Sequence, residues 1–230
     1  MVTSHSFHCC GEKTVDMIQT EPIVFNAFQV NTYLIWDETG ECLVVDPAFY
    51  SEDEQRDFET ILREKELTIT GMINTHCHVD HMLGVRYMKS EHGCLFRAHK
   101  EEQPIVANVP ILGDVFGWSV EPIDGIDEIL ADHGTITIGN HLLQSIHVPG
   151  HSMGSLAFYS KEGGFVITGD ALFQGSIGRT DLPGGDYDTL IGSIQKRLLT
   201  LPPETVVHPG HGPSSTIGQE AAENPFLQAI

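Results

Sequence analysis

The segment Thr75-His76-Cys77-His78-Val79-Asp80-His81 sets three imidazoles and a carboxylate within six residues, directly after the apolar run Ile69 to Ile73. Neutral imidazole and ionised carboxylate are donors to zinc and neighbouring divalent ions. Along an extended backbone successive side chains face opposite ways. His76, His78 and Asp80 are therefore expected on one face, with Cys77 and Val79 on the other. The competing explanation is three unrelated histidines, each satisfied on its own, because short metal motifs do arise by accident.

That explanation weakens because the pattern recurs. Leu142 to Val148 runs into Pro149-Gly150-His151, Gly164 to Thr168 into Gly169-Asp170, and Thr205 to Val207 into His208-Pro209-Gly210-His211. Each is a short run rich in apolar and β-branched residues that ends in a Gly or Pro-Gly turn, which reads as a strand followed by a loop. Loops at strand ends are where a rigid scaffold presents functional side chains. The candidate ligands are thus His76, His78, Asp80, His81, His151, Asp170 and His211. They are too many for one tetrahedral zinc and suit two ions about 3.5–4 Å apart. In the simplest partition one ion takes His76, His78 and His151, the other takes Asp80, His81 and His211, and Asp170 bridges them. The sequence by itself leaves that partition open.

The elements that must position these residues read as strands at 23–30, 32–36 and 42–46, then a helix over 52–66 capped by Ser51. A helix follows at 82–90 and a strand at 94–98. The segment 100–131 is irregular, its helical pieces interrupted by Pro104, Pro110 and Pro122. Strands near 135–138, 141–148, 155–159 and 164–168 precede a helix at 187–200. Strands with interleaved helices, twice over, predict an α/β chain folded as an αββα sandwich: two mixed sheets flanked by helices, with the metal site at one edge.

The order of these motifs resembles the metallo-β-lactamase superfamily. The resemblance lies in the His-x-His-x-Asp-His box at 76–81, the single His151, the single Asp170, Gly210-His211-Gly212, and an early strand ending in Val44-Val45-Asp46-Pro47. It spans about residues 17–230 and implies the same ligand partition, with Asp46 as a structural hydrogen-bonding residue near the site. Gly169-Asp170-Ala171-Leu172-Phe173 and the stretch Gly178-Arg179-Thr180-Asp181-Leu182-Pro183-Gly184-Gly185-Asp186 are similar to the glyoxalase II-like (hydroxyacylglutathione hydrolase-like) members. The ending Gly210-His211-Gly212-Pro213 and Asn224-Pro225-Phe226 resembles their short bacterial branch. Full-length glyoxalase II carries an added C-terminal helical segment that supplies much of its glutathione pocket. Only nineteen residues follow His211 here, which leaves the carrier thiol undetermined.

The resemblance implies a binuclear metallohydrolase that cleaves a hydroxyacyl thioester. The cofactors are two divalent ions, zinc by default, with iron or manganese suiting the same donors. A metal-bridged hydroxide would attack the acyl carbonyl, with Asp80 orienting it and accepting its proton. A thiolate leaves readily, since a thiol pKa lies near 8.5. No Gly-x-Ser-x-Gly elbow is present to support a serine hydrolase. Arg179 is the candidate contact for a substrate carboxylate, unless Asp181 or Asp186 holds it in an ion pair. One alternative is an enzyme resembling the persulfide dioxygenases, in which His76, His151 and Asp170 hold a single iron. Another is a metal-binding member of the fold without activity.

Composition narrows the partners. A net charge of −20 repels phosphate backbones, which argues against nucleic acid and leaves a small-molecule thioester as the expected partner. Apolar stretches shorter than the roughly 20 residues of a spanning helix argue against a membrane. Five cysteines without framework spacing fit a reducing compartment, so the cytoplasm is expected. Residues 1–16 are expected to form a disordered tail ahead of one domain over 17–230. His208 is expected to support a ligand by a hydrogen bond, His147 to be structural, and Phe116 and Trp118 either to wall the pocket or to pack core.

Overall fold

Strands β2 (Val30–Trp36) and β3 (Glu41–Val45) are buried at nearly every position, as strands covered on both faces are. Alternation divides their side chains. Leu34, Cys42 and Val44, with Met72 of β4 (Thr68–Ile73), join a core beneath the helices; Tyr33, Ile35, Leu43, Val45 and Ile73 join a second core between the sheets. The structure, a computed structural model, describes residues 17–228. The expectation of a tail at 1–16 lies outside the described residues.

The first sheet has the order β1-β2-β3-β4-β5-β6, completed by β1 (Gln19–Phe25), β5 (Phe96–Ala98) and β6 (Glu128–Ile129). Its first three strands are antiparallel, and parallel pairing carries the sheet on from β3 to β6. The second sheet has the order β14-β13-β10-β9-β8-β7. Its members are β7 (Thr135–Ile138), β8 (His141–His147), β9 (Leu156–Ser160), β10 (Phe165–Gly169), β13 (Val206–Pro209) and β14 (Ser215–Thr216). A small hairpin, β11 (Leu172–Phe173) with β12 (Ser176–Ile177), stands apart. Leu143, Phe158 and Ile167 face the first sheet, while Ile146, Ala157 and Val166 face a third core under α5 (Tyr187–Ser193). Three cores separating four layers make the expected αββα sandwich.

Helix α1 (Glu52–Glu64) starts at Ser51 in a reciprocal capping box with Glu54 and buries Phe58 and Leu62. Helix α2 is Val85–His92. Two short helices, α3 (Gln103–Val106) and α4 (Val109–Phe116), each have a proline in the first turn, where its missing N–H costs nothing. Helix α6 spans Ile217–Glu223. Among the described residues no helix is long and apolar enough to cross a membrane.

Three local readings need correction. The strand expected over 23–30 is broken at 26–29, where Asn26 and Gln29 take positive φ in the turn joining β1 to β2. The helix expected over 187–200 is α5 followed by a π-helical turn at Ile194–Leu198. The metal box is not extended to its end: β4 stops at Ile73, and Val79–His81 form a 3₁₀ turn. The backbone is not extended, yet the division of side chains holds: Cys77 and Val79 join the core beneath the helices, His76, His78 and Asp80 face the site, and the turn adds His81.

Candidate metal centre

The site is built from backbone that leaves a sheet. His76 and His78 lie in the loop after β4, Asp80 and His81 in the 3₁₀ turn, His151 between β8 and β9, Asp170 just after β10, and His211 just after β13. All seven converge at one edge of the sandwich. One group of donor atoms comes from His76, His78 and His151, another from Asp80, His81 and His211, and within each group the atoms lie no more than 4.8 Å apart. His78 Nδ1 faces His151 Nε2 at 2.9 Å, and His81 Nε2 faces His211 Nε2 at 3.3 Å. Asp170 lies between the groups: Oδ2 is 3.7 Å from His151 Nε2 and 3.5 Å from His211 Nε2, while Oδ1 is 3.5 Å from His81 Nε2.

Three of the imidazoles are aimed by what their other nitrogen touches, which fixes ring orientation and tautomer. His81 Nδ1 meets Asp46 Oδ2 at 3.0 Å, His151 Nδ1 donates to the Arg179 carbonyl at 2.8 Å, and His211 Nδ1 donates to the Phe28 carbonyl at 3.0 Å. Asp46 also accepts from the Thr75 amide at 2.7 Å and the Thr75 hydroxyl at 2.6 Å. Asn31 secures the last ligand loop by donating from Nδ2 to the carbonyls of Pro209 and Gly212, both at 2.9 Å. Gly210 is glycine by necessity, because a Cβ there would strike Asp170 Oδ1 and lie 2.8 Å from His81 Cε1.

Two observations test whether this donor set fits metal ions. His76 Nε2 and Asp170 Oδ1 are buried without any hydrogen-bond partner, a costly arrangement that a cation at the centre would satisfy. Burial, helped by neighbouring imidazoles, holds His76 well below the usual histidine range, and burial above all brings His78 and His151 down to about 4. Their ring lone pairs are therefore free at neutral pH. Burial opposes charge on His81 too, but Asp80, Asp170 and Asp46 outweigh it and lift that ring to about 10. Loading a cation there would expel the proton. The set fits.

These distances put all seven of the residues singled out as ligands together. Arg179 is on the cleft wall, but its side chain forms a two-pronged ion pair with Asp181 at 2.8 Å, and its closest service to the site is the carbonyl that orients His151. His208 does not support a ligand: its Nδ1 bonds Ser214 Oγ at 2.8 Å, and its ring packs on Tyr33 and Phe165. His147 is structural, bonded to the Met153 carbonyl. Cys77 faces the core under the helices. Phe116 lines the cleft, whereas Trp118 packs beneath it against Phe28.

Glu102 was missed. This fully buried carboxylate accepts from the Cys77 amide (2.7 Å), the Gly154 amide (2.8 Å) and the Ser152 hydroxyl (2.7 Å). It ties the loop carrying His76 and His78 to the loop carrying His151. An acid in an irregular, proline-broken segment gave no periodic signal by which to find it.

The family model described as the Metallo-beta-lactamase superfamily matches residues 25–211. The chain belongs to the metallo-β-lactamase superfamily. This metallo-β-lactamase-fold chain is 36% identical to a probable metallo-hydrolase, YqgX of Bacillus subtilis, over 91% of its own length and 95% of the relative's. It is 35% identical to the hydroxyacylglutathione hydrolase GloC of Haemophilus influenzae, over 91% and 98%. Among solved structures it is similar to the BLEG-1 B3 metallo-β-lactamase, with a TM-score of 0.84, 32% identity, and 92% and 100% of the two chains covered. It is also similar to TTHA1623 in a di-iron-bound form, with a TM-score of 0.80, 35% identity, and 90% and 100% covered. A metallo-hydrolase superfamily member with paired His/Asp clusters has the makings of a binuclear site.

Proposed function

We propose that this protein is a binuclear metal-dependent hydrolase that cleaves a hydroxyacyl thioester. One observation carries the reading: the Asp170 carboxylate lies within 3.7 Å of ring nitrogens from both histidine groups, the position a shared ligand must occupy. Two divalent ions, zinc by default, would be held by His76, His78 and His151 on one side and Asp80, His81 and His211 on the other, with Asp170 between. Bound there, they supply a hydroxide at neutral pH and polarise an acyl oxygen.

The chain's own residues do the rest. Asp80, on the cleft lining with Oδ2 3.4 Å from His211 Nε2, would orient the attacking water and take its proton. A cleft of about 840 Å³ opens onto the ligands and would hold the substrate among Met153, Pro183, Ile105 and Phe116. In the reaction a C–O bond forms at the acyl carbon and the C–S bond breaks. The sulfur keeps the bonding pair and leaves as thiolate, which needs little help from an acid. Kinship with a hydroxyacylglutathione hydrolase supports the acyl class.

The test is elemental analysis of protein purified without chelator, followed by a panel of lactoyl and other hydroxyacyl thioesters. About two ions per chain and turnover that falls when they are stripped are expected. One ion per chain, mostly iron, with oxygen consumed on a persulfide and no thioester cleaved would replace this reading with a dioxygenase.

A further inference from the structure

The cleft contains an apolar wall that chemistry at the ligands does not require. Ile111 and Phe116 of α4, Phe28 of the β1–β2 turn and Met153 of the His151 loop line it, yet they remain 65%, 50%, 42% and 54% exposed. Large apolar side chains gathered at a cleft mouth mark a surface built to be covered by a ligand. Phe28 and Phe116 stack edge to face at 5.2 Å, and Trp118 backs Phe28 at 4.8 Å, so this wall is braced in place.

Charge excludes one large class of occupant. Among the described residues Arg179 is the single Lys or Arg that lines the cleft, and Asp181 already holds its guanidinium through both oxygens. Binding a substrate carboxylate there would exchange one exposed ion pair for another, with little net gain. The remaining charged lining residues apart from the histidines are Asp80, Asp170 and Glu101, on a chain of net charge −20. Apart from the ions that the ligands would hold at the acyl end, an anionic carrier finds no free side-chain cation among the described lining residues.

We infer that the thiol half of the substrate is uncharged and apolar where it lies in this cleft, so that the preferred carrier is a neutral thiol and not an anionic one of the glutathione or nucleotide type. This rests on the thioester reading above and names its substrate class. Aliphatic carriers gain by burial against Ile111, Phe116 and Met153, at about fourfold in affinity per methylene.

Two ligands that cannot be hydrolysed separate the possibilities: 2-hydroxypropyl hexyl sulfide and S-(2-hydroxypropyl)glutathione, which differ only in the carrier. Titration calorimetry on the metal-loaded full chain is expected to find the hexyl sulfide bound at least tenfold more tightly. Ile111→Lys, a change at an exposed position, should narrow or reverse that ratio by supplying the missing cation. Equal or tighter binding of the glutathione ligand would overturn the inference, and so would no binding of the hexyl sulfide up to its solubility limit. Turnover of lactoyl hexanethiol and lactoyl glutathione is read separately. Failure to cleave either would defeat the thioester reading while leaving the binding preference standing.

Discussion

Asp46 and His81 meet at 3.0 Å, carboxylate to Nδ1, with both side chains withdrawn from solvent. The pair holds His81 with Nε2 turned to the site, and Thr75 locks the carboxylate by its amide on Oδ1 and its hydroxyl on Oδ2. Asp46→Asn keeps the size and can present an amide N–H where His81 needs an acceptor, which favours the wrong tautomer. Affinity for the ion on the Asp80, His81 and His211 side is expected to drop about 10–100-fold, the usual effect of losing such a partner. Chelator competition against the unaltered protein measures it; an unchanged affinity would show that Asp46 serves packing alone.

Glu102→Ala should be among the most damaging changes outside the ligands. It strands the Cys77 and Gly154 amides in the interior, at roughly 1–3 kcal/mol for each buried group left unpaired, and leaves the Ser152 hydroxyl only Ser155 Oγ. Glu102→Gln retains an acceptor oxygen and should recover part of the loss. Denaturant unfolding of both variants, with metal content of the folded fraction, reads the order Ala worse than Gln. Equal stabilities would refute it.

The fold's outline and the seven residues that converge at one edge were legible because both follow from local rules. Short apolar runs read as strands, and the glycines after them marked where the chain must leave the sheet. The 3₁₀ turn at 79–81 was not legible, because it is set by Asn74, whose amide donates to the His81 carbonyl at 2.9 Å from seven residues back. Glu102 and the Asn26–Gln29 turn escaped for the same reason. Their roles are contacts with segments distant in sequence, as when Asn26 Nδ2 reaches the Asp80 carbonyl at 3.0 Å. Local pattern carries no record of such contacts.

Acid should weaken a clamp far from the site. Burial opposes ionisation of Asp132, but hydrogen bonds from Arg197 and the His147 amide outweigh it and hold the carboxyl below its ordinary 3.8. A carboxyl depressed in the folded state adds stability above its unfolded pKa and loses it as pH falls through the folded one. The pair is about one-third exposed, so its worth is under about 1 kcal/mol. Melting curves from pH 6 downward should show Asp132→Asn less stable than the parent at pH 6, with the gap narrowing once the pH falls below the ordinary carboxyl value of 3.8. A gap constant with pH would dismiss the ion pair.

Stripping the ions should lower the melting temperature. Site ligands bind the folded state only, and an ion at 100 times its dissociation constant adds about 2.7 kcal/mol. For a chain of this size that corresponds to roughly 5–10 °C. Calorimetry with and without chelator checks it. Asp170→Asn, which removes the shared carboxylate, should shrink the difference; no shift with chelator in the parent would argue that the histidine groups stay empty.

The order of the two sheets has a mechanical consequence. Residues before about 130 build one sheet and four of the ligands, and residues after it build the other sheet and the remaining three. His81 and His211, whose ring nitrogens face each other at 3.3 Å, are 130 positions apart along the chain. An ion held by both would therefore act as a reversible cross-link between the halves, closing a long loop of chain much as a distant disulfide does, and the seam would open only after its metal had been given up.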